Sequence, residues 1–153
     1  MFLRYELLPD GTDNILFISD GVHDVFEVSS DEALANTQRL WQKIHADDLP
    51  AFRRSMQSSI EELSKWDHEW RIRMNDGSIK WLEGRGTPYR LEGGRTLWNT
   101  LVLDITQRKR LEAEQQSLVA HLRLALETAN LGFWRLNLAT NELYWNERLM
   151  EIY

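Results

Sequence analysis

Residues 74 to 110 read MNDGSIKWLEGRGTPYRLEGGRTLWNTLVLDITQRKR. Two turn signals, Asp76-Gly77 and Gly93-Gly94, separate hydrophobic runs, and at Asp104-Ile105-Thr106 the chain changes into a charged, helix-forming tail. Immediately upstream, WDHEWRIRM (66–74) alternates with period two. Trp66, His68, Trp70, Ile72 and Met74 point one way, and Asp67, Glu69, Arg71 and Arg73 the other, which is the pattern of a half-buried strand. Asp76-Gly77 suits a two-residue hairpin turn with positive φ at both central positions. That turn pairs Met74 with Ile79, Ile72 with Trp81 and Trp70 with Glu83. A three-residue turn through Asn75 would slip the register and flip the faces. The two-residue turn is the expectation, because it keeps the rings together. The second strand then runs to about Leu91, and TLWNTLVLD returns as a third; the glycines of GRG and GG read as turn glycines.

Working outward, FLRYELL (2–8) and ILFIS (15–19) are short β-rich runs around PDGTDN, a cluster of turn formers, and predict an opening hairpin. From Asp20 to about Lys43 the pattern fits two or three helices of one or two turns. A longer helix follows, with Asp47 and Asp48 placed to cap or charge its start and Pro50 tolerated in its first turn. Phe52, Met56, Ile60 and Leu63 give it one buried stripe. The order describes an α+β domain: one five-stranded antiparallel sheet with short helices on one face.

Composition narrows the function. The chain has 153 residues, with 42% hydrophobic residues and seven Trp, ample for a packed core. A net charge of −6 argues against nucleic acid or an anionic membrane as the main partner. Cysteine is absent, which removes disulfides, thiolate metal sites, a cysteine nucleophile and a thiol to trap a flavin. No run approaches the length of a membrane span, and the expectation is a cytoplasmic module. No Ser/His/Asp set, phosphate-binding glycine loop or metal box points to catalysis by this segment.

WQKIHADD before a helix, HEWRIRMNDGSIKWLEGRGTP after it and GRTLWNTLVLDITQRK at the end together resemble a PAS domain with its C-terminal PAC segment, of the fold-3 type subgroup. The resemblance covers roughly residues 2 to 109; Ala46 stands where Pro is usual and Trp70 where Tyr is usual. It implies a sensory or relay module in a bacterial signalling protein, with a histidine kinase or a diguanylate cyclase as output. The competing reading is a ligand-free dimerisation scaffold; a flavin- or haem-bearing redox sensor is a third.

From Asp104 to about Asn130 the chain reads as one helix. Leu111, Gln115, Leu118, Leu122, Ala125 and Ala129 alternate by four and three, a short coiled-coil seam, although the same stripe can pack against a sheet. LGFWRLNLATNELYWNERLMEIY (131–153) resembles the opening strands and first helical turn of a second PAS unit. The spacing of Tyr144 and Tyr153 matches that of Phe17 and Phe26. The expected organisation is therefore a PAS/PAC domain at 1–106, a linker helix at 107–130 and the truncated start of a second PAS domain at 131–153, the first of a tandem array. Phe133, Trp134, Tyr144 and Trp145 need cover from the chain's own first domain or a partner's, and the expectation is a homodimer through the helix with this tail packed on either subunit.

Trp41, His68, Trp70, Ile72, Trp81 and Trp98 are the candidate cavity wall. Alternating rings favour a filled or nearly filled core with no cofactor; flavin adenine dinucleotide and haem stay open only by family analogy, and the small-molecule ligand is undetermined. His68 lacks a second ligand for haem or metal. His45 reads as structural, and His121 lacks the acidic neighbour and Pro of a kinase phosphoacceptor. Asp104 and Thr106 can cap the linker helix, with Ile105 and Arg108 beside them. In the family, this joint transmits change in the sheet to the output.

Overall fold

The computed structural model describes residues 1–128 and 134–145. The chain divides into two compact units, Met1–Lys109 and Arg110–Tyr153. In the first, strands β1 (Phe2–Leu7), β2 (Asp13–Ile18), β3 (Trp66–Arg73), β4 (Ile79–Arg90) and β5 (Thr96–Asp104) form one five-stranded sheet in the order β2-β1-β5-β4-β3. Every neighbouring pair is antiparallel. Helices α1 (Val22–Phe26), α2 (Ser30–Ala35), α3 (Gln38–Trp41) and α4 (Leu49–Glu62) lie between β2 and β3 in sequence. This is the expected α+β architecture.

Local chemistry accounts for the helices. Ser29 and Glu32 form a capping box at the start of α2, each bonding the other's backbone N–H. Pro50 occupies the first turn of α4, where its missing N–H costs nothing. Asp48 sits at the N-cap of α4, but its side chain caps nothing. Its carboxylate instead accepts from Arg71 N (2.8 Å), Nε (2.9 Å) and Nη2 (2.6 Å), tying the helix to β3. Phe52 is buried, with Met56 and Ile60 packed against the core, whereas Leu63 is exposed beyond the expected stripe. There φ is 49°, and the left-handed turn carries the chain away from the helix axis.

The β3–β4 hairpin corrects the expected register. Met74 N donates to Ser78 O (2.9 Å), so the turn has three residues, Asn75, Asp76 and Gly77. Of these only Gly77 has positive φ, at 84°. A two-residue turn of the expected type needs it at both central positions. Trp70 therefore pairs with Leu82, Ile72 with Lys80 and Arg71 with Trp81. The faces of β3 are as expected; those of β4 are reversed.

That reversal gives GRG a different meaning. Gly84 and Gly86 lie inside β4, not in a turn, on the face toward the rings. A Cβ on Gly84 would come within 2.5 Å of the Trp66 ring and 2.8 Å of the Trp70 ring, and one on Gly86 within 3.0 Å of Trp98. The glycines make room for three indoles against the sheet. Gly93-Gly94 is a turn as expected, both with positive φ.

The helix α5 runs from Thr106 to Thr128. Along it Leu111, Gln115, Leu118, Leu122 and Ala125 are exposed, as are Val119 and Leu124. Ala129 lies outside the described residues. In the second unit β6 (Trp134–Asn137) and β7 (Glu142–Trp145) pair antiparallel. Trp134 opposes Trp145 and Leu136 opposes Leu143, so one face of this hairpin is wholly apolar. Phe133, Tyr153 and the helical turn expected near it lie outside the described residues.

Candidate functional site: the ring-lined core and the sheet–helix joint

The inner face of the sheet carries Trp66, His68 and Trp70 from β3, the glycines of β4, Trp98, Thr100 and Val102 from β5, and Leu3 and Tyr5 from β1. Phe52, from α4, is the hub: its ring centroid lies 5.0 Å from that of Trp70, 5.6 Å from Trp66 and 5.9 Å from both Trp41 and His68. The packing is nearly complete. A cavity of about 30 Å³ remains, lined among others by Leu40, Trp41, Met56, Trp70, Trp98 and Val102. This is the share of a single water molecule in the liquid. A flavin or a haem does not fit unless the rings are displaced.

Of the six expected wall residues, Trp41, Trp70 and Trp98 line the cavity. Ile72 is fully buried beside it in the core. His68 is half-buried at the rim, stacked between Trp66 (6.1 Å) and Trp70 (6.5 Å). Burial lowers its imidazole below the usual histidine range, with neighbouring carboxylates opposing the shift. Among the described residues no cluster of His, Asp and Glu is arranged to hold a metal. Trp81 does not belong to the wall: the slipped register puts it on the outer face, with the Arg71 guanidinium 5.6 Å and the Lys109 ammonium 5.0 Å from its ring. Among the described residues the buried indole N–H groups of Trp70 and Trp98 have no hydrogen-bond partner.

Beyond Trp41 lies a second, larger cleft of about 280 Å³, bounded by β1, β2, α3 and α4. Asp13 anchors its inner edge. Its Oδ1 accepts from Thr37 Oγ1 (3.1 Å), and its Oδ2 from Trp41 Nε1 (2.7 Å) and Tyr5 Oη (3.3 Å). Burial, followed by the Asp13 charge, raises the Tyr5 phenol well above its ordinary range. Sequence reasoning missed Asp13, which looked like part of a turn. Its signal was slight: an acid at the very start of a β run.

The joint lies on the opposite face. Asp104 Oδ1 accepts from Thr106 N (2.9 Å) and Oγ1 (2.5 Å), as a cap should. Thr106 Oγ1 does not cap; it accepts from Trp81 N (3.0 Å), while Ile105 N donates to Trp81 O (2.9 Å). The strand β4 thus hydrogen-bonds across the strand-to-helix transition, and Ile105 is buried there. Glu69 and Glu83 face each other across β3 and β4, a repulsive pair if left alone. Arg108 answers it, with Nη2 2.7 Å from Glu69 and 3.4 Å from Glu83. Lys109 Nζ is 2.5 Å from the other Glu69 oxygen, and Arg85 binds Glu83. Lys109 first, then Arg108, hold the Glu69 carboxyl below its usual range. Arg108 and Lys109, at the start of α5, are therefore paired with the sheet.

The family model described as "PAS fold" matches residues 15–101, more than half of the chain. The chain belongs to the PAS-fold family. Among solved structures it is similar to a sensory box histidine kinase/response regulator from Burkholderia thailandensis, with 22% identity, a TM-score of 0.59 and coverage of 80% of this chain and 90% of that one. It is also similar to the N-terminal domain of a diguanylate cyclase with PAS/PAC sensor from Marinobacter aquaeolei, with 11% identity, a TM-score of 0.58 and coverage of 71% and 99%. A PAS domain from Colwellia psychrerythraea matches at 22% identity and TM-score 0.51, covering 69% and 87%. At these identities the likeness is one of fold. No curated protein matches the chain. Among the described residues no helix is long and apolar enough to cross a membrane.

Proposed function

We propose that this PAS domain is a sensory or relay module of a multidomain bacterial signal-transduction protein. In this reading a change in the sheet passes through Asp104-Ile105-Thr106 to α5 and on to an output domain in the same protein, a histidine kinase or a diguanylate cyclase. The observation that carries it is the double hydrogen bond of Trp81 to the joint, N to Thr106 Oγ1 and O from Ile105 N. A shift of β4 would act on the helix start through these two bonds. The test is regulated output in the full-length protein: Asp104→Ala should lock activity high or low, and normal regulation in that mutant would reduce Asp104 to a cap.

The module is further proposed to act as a homodimer through α5, with no nucleic acid or membrane partner. The exposed Leu111, Leu118 and Leu122 support this, since apolar side chains in a helical stripe seek a partner surface. Leu118→Glu should shift the chain toward monomer in light scattering. A compact wild-type monomer would refute the dimer. The second reading, a ligand-free scaffold, is favoured by the smallness of the inner cavity.

A further inference from the structure

The outer cleft is distinct from the ring-lined cavity: Tyr5, Trp41, Phe52 and Met56 form the wall between them. At about 280 Å³ it is close to the lower end of small-molecule sites, roughly 300 Å³. Its floor is apolar and aromatic, with Trp41, Phe52 and Met56, and its polar groups are Asp13, Gln38 and Arg53. These polar groups differ in how far they are satisfied. Asp13 already receives three neutral donors. Arg53 carries the forked donors suited to a carboxylate, and among the described residues it has neither an ion pair nor a side-chain hydrogen bond; Arg71, Arg85, Arg95 and Arg108 each have a carboxylate partner. The Gln38 side-chain amide is likewise uncommitted among the described residues, its bonds being made by the backbone: N–H to Asn36 Oδ1, and O from Gln42 N.

We infer that this cleft binds a small organic carboxylate, its acid group on Arg53 and Gln38 and its apolar body against Trp41, Phe52 and Met56. A cationic ligand would have to share Asp13 with three donors that already hold it and would leave Arg53 unanswered. A neutral one would leave the guanidinium fork unused. Occupancy reaches the core because Trp41 forms part of both spaces, with its indole fixed by Asp13 at 2.7 Å. The inference rests on the reading of the domain as a sensor, but binding is measured on the isolated chain and so stands or falls apart from any output.

The experiment is titration of the full 153-residue chain with benzoate, benzamide and benzylamine, read by the Trp41 indole N–H resonance and by calorimetry. Benzoate should move that resonance saturably, with benzamide and benzylamine weaker by about tenfold or more. Arg53→Gln should weaken benzoate by about tenfold without changing the melting temperature of the free protein, since among the described residues Arg53 makes no ion pair or side-chain hydrogen bond; Arg53→Lys should recover part of it. Equal binding of benzoate by Arg53→Gln, or benzylamine binding as well as benzoate, would overturn the carboxylate assignment. So would the absence of any saturable shift with benzoate, hexanoate and indole-3-acetate.

Discussion

The two faces of the sheet are built from the same strands to opposite rules. On the inner face Trp66, Trp70 and Trp98 lie over Gly84 and Gly86, and almost every atom is excluded from water. On the outer face Glu69, Glu83, Arg71 and Trp81 meet Arg108 and Lys109 of α5 through charges and hydrogen bonds. Apolar burial scales with area and tolerates little change in shape. Partly exposed ion pairs contribute little net stability and are remade at low cost. The inner face therefore fixes the fold, and the outer face is where two arrangements of similar energy are affordable. A relay needs both kinds of surface on one element.

The largest test of this contrast is Trp70→Ala or Trp98→Ala, each expected to cost about 3–5 kcal/mol in denaturant unfolding; near-neutral values would mean that the inner face does not carry the fold. Gly84→Ala should cost about 1–3 kcal/mol, because its methyl would overlap two indoles. A neutral result would restore the two-residue turn and its register. Asp104→Ala should cost about 0.5–2 kcal/mol, the loss of a cap. Trp81→Ala should be smaller still, about 0.5–1 kcal/mol for its partly exposed cation–π contacts. A loss as large as that of Trp70→Ala would return Trp81 to the core.

The smallest effect is expected from pH near neutrality. Burial lowers the His68 pKa below the ordinary 6.5 in the folded chain. The unfolded chain therefore takes up a proton first, and stability should slip as pH falls below about 6.5. His68→Gln should remove that slope. Asp48, held low chiefly by its hydrogen bond from Arg71, and Glu69, held low chiefly by Lys109, contribute stability above their ordinary 3.8 and 4.5. That part is lost only in stronger acid, as pH falls through their depressed folded values.

Much of this was legible in the sequence. The period of two in 66–74 gave the faces of β3, and turn formers marked the hairpins. Asp104-Ile105-Thr106 marked the strand-to-helix joint. What misled was Asp76-Gly77, since a Gly with positive φ serves both a two-residue turn and a three-residue turn. The discriminating signal lay farther along. In the two-residue register Glu83 opposes Trp70 among the rings, a buried charge without a partner. In the three-residue register Leu82 and the glycines go inside, and Glu83 meets Arg85 and Arg108. The pairing of Asp48 with Arg71 and the engagement of Asp13 by Tyr5, Thr37 and Trp41 were not legible, because each joins residues far apart in the chain through tertiary contact.

The central claim is that a change on the inner face is felt at the joint on the outer face. Amide hydrogen exchange in wild type and in Trp70→Phe, a cavity-forming change next to Arg71, tests it directly. The account predicts faster exchange at Trp81, Ile105 and Lys109, whose amides lie on the joint's hydrogen bonds, well beyond any change at the β1–β2 hairpin. An equal increase at every protected amide would mean only global destabilisation. That result, or an unchanged joint, would contradict the account.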